Sequence, residues 1–169
     1  MVFELDTSLN PTLAPLAWLV GRWVGVGVVG YPSMTSVQFG QEVDCSHDGR
    51  EFLRWESRSW LLDEEGTRVR PAATESGFWR VLRTGEIELL LAHPTGIVEM
   101  YAGTRDPQRP AVQLRTDGVM RSPEAKEYNA ATRMYGYVDS QLMWAMDMAA
   151  TGHPLTSHLS ATLRKAPST

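Results

Sequence analysis

The sequence predicts an all-β fold, an antiparallel up-and-down barrel of nine or ten strands, entered through a short N-terminal helical turn. Three observations carry this. Beyond residue 21 no segment holds a 3.6-residue apolar period over three turns, while period-two alternation recurs along the chain. Short turn sequences divide the alternating stretches, such as HDG at 47–49, DEEG at 63–66 and RTG at 83–85. Near the start, LAWLVGRWVGVG at 16–27 sets Trp23, Gly25 and Gly27 on one face of a strand behind the turn residue Gly21. Glycine inside a strand marks a bend or the close approach of another backbone or a ligand. No Lys-Ser/Thr follows and no G-x-G-x-x-G opens a helix here, so the run reads as a barrel-closing strand and not as a phosphate loop.

The elements follow in order. Residues 10–20 read as a helical turn with Leu13, Leu16, Ala17 and Val20 on one apolar face, able to plug one end of the barrel. The first strand spans 22–29, and GYPSMTS at 30–36 reads as a loop with Met34 exposed between hydroxyl residues, where it is also a possible pocket-lining residue. From residue 37, Phe39, Gln41, Val43 and Cys45 alternate with Gln38, Glu42 and Asp44. The partner strand, 52–62, carries Leu53, Trp55 and Leu61 on one parity and Trp60 on the other. Residues 69–73 form a short piece interrupted by Pro71, and 77–82, 86–92 and 97–102 form a meander. A short strand at 111–116 precedes long ones at 126–138 and 141–148, and 157–163 closes the chain. Closing the sheet removes both edges. With no linker, repeat or low-complexity tract, the expectation is a single domain with its core at about 13–165.

Composition excludes several function classes. The 169 residues carry a net charge of −4 with both signs interspersed, which argues against a nucleic-acid surface. No apolar run reaches the roughly 18 residues of a membrane span. The opening MVFELDTSLNPTLAP has no basic patch ahead of an apolar core, unlike a secretory signal. Cys45 is the only cysteine, so no intrachain disulfide or paired-cysteine zinc site can form, and a reducing cytoplasm is expected.

A barrel of ten strands has room for a ligand. Trp144, Met146 and Met148 share one face of the penultimate strand, with Met134 in the strand before it. They read either as ligand lining, since methionine adapts to flat apolar partners, or as ordinary core. Of four histidines, His47 lies in a turn, His93 and His153 each precede a proline, and His158 lies inside the last strand. Alternation groups His158 with Ser160, Thr162 and Arg164, opposite Leu159, Ala161 and Leu163. That is the solvent side by parity, unless the interior is the more polar face. A lone histidine suffices for a haem, whose macrocycle supplies four nitrogens, and this is one possibility among several. Glu75, Glu86 and Glu88 are carboxylates without an obvious partner, and Lys126 could meet an anionic ligand group or remain solvated. No G-x-S-x-G, H-E-x-x-H or Asp-rich calcium loop occurs.

The run Gly21-x-Trp23-x-Gly25-x-Gly27, GYPS at 30–33, ESGFWR at 75–80, AHPTGIVEMYAG at 92–103 and HPLTSHLSATLRK at 153–165 together resemble the nitrobindins, in the same order over nearly the whole chain. The resemblance implies a ten-stranded antiparallel up-and-down β-barrel related to the fatty-acid-binding-protein shape, holding haem b near its mouth, with His158 as the proximal axial ligand and Lys126 near the propionates. Ser33 stands where many members have threonine. Ala73 stands where some have a distal histidine, and His93 could occupy part of that side. The implied activity is isomerisation of peroxynitrite to nitrate at ferric haem and binding of nitric oxide at ferrous haem. An apolar Met-rich wall beside Ala73 would leave bound dioxygen without a hydrogen bond and keep the iron ferric. Two other readings share the residues: a haem or nitric oxide sensor, and an apolar-ligand carrier in which His158 is structural.

Overall fold

The computed structural model describes residues 6–167; residues 1–5, part of the opening stretch read above against a secretory signal, lie outside the described residues. A 3-10 helix, Pro11–Leu19, precedes ten strands: β1 Gly21–Tyr31, β2 Met34–Ser46, β3 Leu53–Leu62, β4 Arg68–Val81, β5 Ile87–His93, β6 Ile97–Arg105, β7 Ala111–Arg121, β8 Tyr128–Val138, β9 Gln141–Ala150 and β10 Thr156–Lys165. Each strand pairs antiparallel with its sequence neighbours, and β1 pairs with β10 to close the barrel. No helix is long and apolar enough to cross a membrane among the described residues.

The glycine run performs the closure. Trp23 is fully buried at the start of β1, its indole N–H donating to the Leu19 carbonyl at 2.9 Å. Gly25 lies opposite Leu163, and Gly27 opposite Ala161. A Cβ at Gly25 would stand 2.2 Å from the Thr162 carbonyl oxygen, and one at Gly27 would stand 2.3 Å from that of Ser160. The missing side chains therefore serve the approach of β10. Gly21 has a positive φ of 136°, which glycine alone adopts without strain.

Three expectations are corrected. The helical segment has three residues per turn, so Leu13, Leu16 and Leu19 make the buried stripe and Val20 falls outside it. The expected 30–36 loop shrinks to the turn at Pro32 and Ser33, with β2 already under way at Met34. The separate pieces expected at 69–73 and 77–82 merge into one strand, β4, which ends at Val81. Pro71 is tolerated because β4 pairs with β5 only from Ser76 onward, leaving one edge of the earlier stretch without a ladder partner to lose.

The helix covers the end of the barrel where β1 begins, and that half is packed with Trp23, Leu53, Trp79, Ile87, Leu89 and Leu163. At the opposite end lie the β1–β2 turn, the β5–β6 turn, the 122–127 segment and the β9–β10 turn. This end is open. Replacing Gly25 by alanine should cost about 1–3 kcal/mol, because the new methyl meets backbone that cannot retreat without opening the β1–β10 seam. Urea unfolding should show a lower midpoint at unchanged slope.

Candidate functional site

The site begins with an irregularity in β10. Ser157 lies opposite Asp147, and Leu159 opposite the adjacent Met146, so β10 carries one residue more than β9 at His158. A bulge of this kind re-aims a side chain. Alternation, which grouped His158 with exposed Ser160 and Arg164, therefore fails at this point, and His158 joins Leu159 in lining an internal cavity at the open end.

The imidazole is fixed in one tautomer. Its Nδ1 lies 2.9 Å from the Gly30 carbonyl oxygen, and a carbonyl can only accept, so Nδ1 carries the proton. Nε2 then bears a lone pair and has no protein partner among the described residues. Burial holds the His158 pKa below the ordinary histidine value; the Gly30 bond opposes this, and the Arg133 charge adds to it. Tyr31 packs edge-on against the His158 and His153 rings at 5.8 and 5.4 Å, and its hydroxyl bridges to the Ala150 backbone of β9. The result is a neutral, oriented imidazole.

The cavity measures about 190 Å³. One wall is apolar, from Phe39, Ile97, Trp144, Met146, Met148 and Leu159. Its floor is polar. Arg133, 3 % exposed, donates to both Glu75 oxygens at 2.9 and 2.8 Å, and to the hydroxyls of Tyr101 at 3.1 Å and Tyr135 at 2.9 Å. Glu99 lies 3.7 Å from Arg133, accepts from the Tyr128 hydroxyl at 2.6 Å and meets His93 Nε2 at 2.8 Å. Gln41 links the floor to the wall, donating to Ser57 and accepting from the Trp144 indole.

Burial alone would raise both carboxyls, but their partners win. Arg133 brings Glu75 below its ordinary value; His93, Arg133 and Tyr128 do the same for Glu99. Arg133 is held well above its ordinary value, since the Glu75 attraction outweighs its own desolvation. Burial pushes the Tyr101 hydroxyl up to about 12 and raises Tyr128 and Tyr135 as well, so all three stay neutral.

The residues singled out in the sequence divide accordingly. His158, His93, Trp144, Met146 and Met148 line one cavity, and Ala73 lies at its wall. Met134 does not line it: it is 49 % exposed and faces an outer groove, because Arg133 holds the inward position of β8. Met34 is also outside the cavity lining, 43 % exposed just past the β1–β2 turn. Ser33 in that turn and Lys126 between β7 and β8 are both exposed at the open end and do not line the cavity. His47 pairs with Asp6 far from it, and Glu88 pairs with Arg80 on the outer surface. Glu75, without an obvious partner in the sequence, has one in Arg133, which alternation inward from Tyr135 would have located. The wall is thus less apolar than expected.

Among the described residues no group of three or more His, Cys, Asp or Glu side chains could hold a bare metal ion. A lone neutral imidazole facing an apolar wall instead suits a metal that brings its own macrocyclic donors.

Residues 12–165 match the family described as the THAP4-like, heme-binding beta-barrel domain. The chain is similar to a ferric nitrobindin-like protein of Kineococcus radiotolerans, at 44 % identity over 98 % of this chain and 99 % of the relative. It is similar to a peroxynitrite isomerase of a Nocardioides species, at 45 % identity over 96 % of this chain and 98 % of the relative. The crystal structure of Rv2717c from M. tuberculosis superposes with a TM-score of 0.85 at 33 % identity, covering 94 % of this chain and 99 % of that one.

Arg133→Met should destabilise the barrel by about 3–5 kcal/mol in chemical denaturation at neutral pH, because it strands Glu75 in the interior. The double variant Glu75→Gln/Arg133→Met should recover part of that loss. Since the folded values of Glu75 and Glu99 lie below their ordinary 4.5, their contribution is full above that value and fades as pH falls through the lower folded values. The double variant should therefore lose less stability on acidification than the wild type.

Proposed function

This chain belongs to the THAP4-like, heme-binding β-barrel domain family, and on that premise we propose that it is a haem b protein that isomerises peroxynitrite to nitrate. His158 is the axial ligand in this reading. The observation that carries it is the bulged imidazole with Nδ1 committed to Gly30 and Nε2 unpartnered at the cavity wall. When bound, haem would supply an iron that in the ferric state isomerises peroxynitrite and in the ferrous state binds nitric oxide, and His158 is the residue that would hold it.

The protein's own residues hold and orient the group. Trp144, Met146 and Met148 offer a flat apolar contact for a macrocycle. The cavity's 190 Å³ is below the roughly 300–1,000 Å³ of pockets that engulf a drug-sized ligand, so the macrocycle would keep an edge at the open end. Lys126 provides a cation at that end for the propionates, and Ser33 a hydroxyl. His93, engaged with Glu99, takes part of the side left open by Ala73. The single thiol, Cys45, is buried and unpaired, which accords with a cytoplasmic protein.

A carrier of fatty carboxylates is disfavoured. The cavity's one guanidinium is already engaged by Glu75, and Glu99 stands beside it, so an acyl carboxylate would meet negative charge.

Titration of the apo-protein with haemin should give a sharp Soret band that saturates at one haem per chain, lost or blue-shifted in His158→Ala. The same broad band from both proteins would remove the haem assignment. With haem bound, catalysed decay of peroxynitrite to nitrate supports the isomerase, whereas tight retention of nitric oxide with slow peroxynitrite turnover would favour a sensor.

A further inference from the structure

The cavity floor carries more charge than ligation by His158 requires. Among the described residues the buried ionised side chains there are Glu75, Glu99 and Arg133, two carboxylates against one guanidinium. Arg133 is engaged bidentately by Glu75, so the surplus negative charge belongs to Glu99. Of the groups that touch Glu99, the Tyr128 hydroxyl adds no charge, and the His93 imidazole cancels the surplus only when it carries a second proton, so the comparison below is made where histidine is uncharged. Glu99 is 2 % exposed, so water screens this charge poorly. A confined site with one uncompensated negative charge prefers a cationic occupant to a neutral one.

Resting on the haem reading above, we propose that Glu99 is a redox-setting residue whose surplus charge makes the cavity favour ferric over ferrous haem. The ferric iron–porphyrin core carries one positive charge more than the ferrous core. Stronger attraction for the ferric form lowers the tendency of the bound iron to accept an electron, because binding and reduction are linked through one thermodynamic cycle. The process is Fe(III) plus one electron giving Fe(II); no bond or proton is transferred, and an added reductant supplies the electron. A charged floor, and not an apolar wall, then sets the ferric resting state.

The test compares wild type, Glu99→Gln and Tyr128→Phe, each loaded with haemin, by spectroelectrochemical titration at about pH 9, where histidine is neutral. Glu99→Gln removes the surplus charge and leaves Arg133 paired with Glu75. Tyr128→Phe removes a hydrogen bond to Glu99 and no charge. All three should bind one haem with the same ferric spectrum. At a fixed applied potential Glu99→Gln should raise the ferrous-to-ferric ratio about tenfold, a midpoint shift of about 59 mV for a one-electron couple, while Tyr128→Phe stays within about twofold of wild type. If Glu99→Gln does not fold, Glu99→Met makes the same comparison. Haem uptake with an unmoved midpoint in the charge-removing variant, or an equal shift in Tyr128→Phe, overturns this inference alone. Failure of the wild type to take up haemin overturns the haem reading, and this inference with it.

Discussion

A bidentate ion pair between Arg133 on β8 and Glu75 on β4, held out of water at mid-barrel, separates the packed half of the molecule from its cavity. Below it the ring cluster of Trp55, Trp79 and Tyr135 fills the barrel, with Tyr135 stacked on Trp144 at 5.3 Å. Above it the side chains stop meeting across the barrel, and the cavity opens. A buried ion pair is weak evidence for net stability, since desolvation offsets most of the attraction. Its effect here is positional: four hydrogen bonds from one guanidinium bring Glu75, Tyr101 and Tyr135 to a common point, and Glu99 and Tyr128 attach to that group.

The second constraint is the bulge at His158. One extra residue in β10 brings the imidazole to the cavity while Leu159, Ala161 and Leu163 keep their inward register. The Gly30 carbonyl then settles which nitrogen is available, a choice made by the last turn of β1 and not by the histidine's own strand. The Gly30 contact continues the seam where the glycines of β1 admit β10, whereas the bulge belongs to the pairing of β10 with β9, so imidazole placement depends on both neighbours of β10.

The family match and the site chemistry support each other from different directions. Similarity over nearly the full length of curated relatives places the chain in a haem-binding family. Independently, the site has in His158 an imidazole whose Nε2 is unpartnered, no cluster of protein ligands for a bare ion among the described residues, and an apolar wall facing a charged floor. Such a site asks little of the protein beyond ligation, orientation and local charge.

The sequence by itself determined the barrel and its order of strands, because period-two alternation and turn chemistry are local signals that each strand carries. It also determined that Gly25 and Gly27 must make room, and the family resemblance singled out His158. Only the tertiary structure decided which way His158 faces, since a bulge is a mismatch between two strands and leaves no mark in one of them. Alternation can turn Arg133 inward, but only the register around the barrel shows that it meets Glu75, 58 residues away. By residue type Met134 suits either a cavity lining or the core, and the sheet gives the inward position on β8 to Arg133. Residue type reports what a side chain can do; strand register, set by every other pairing around the closed barrel, decides what it meets.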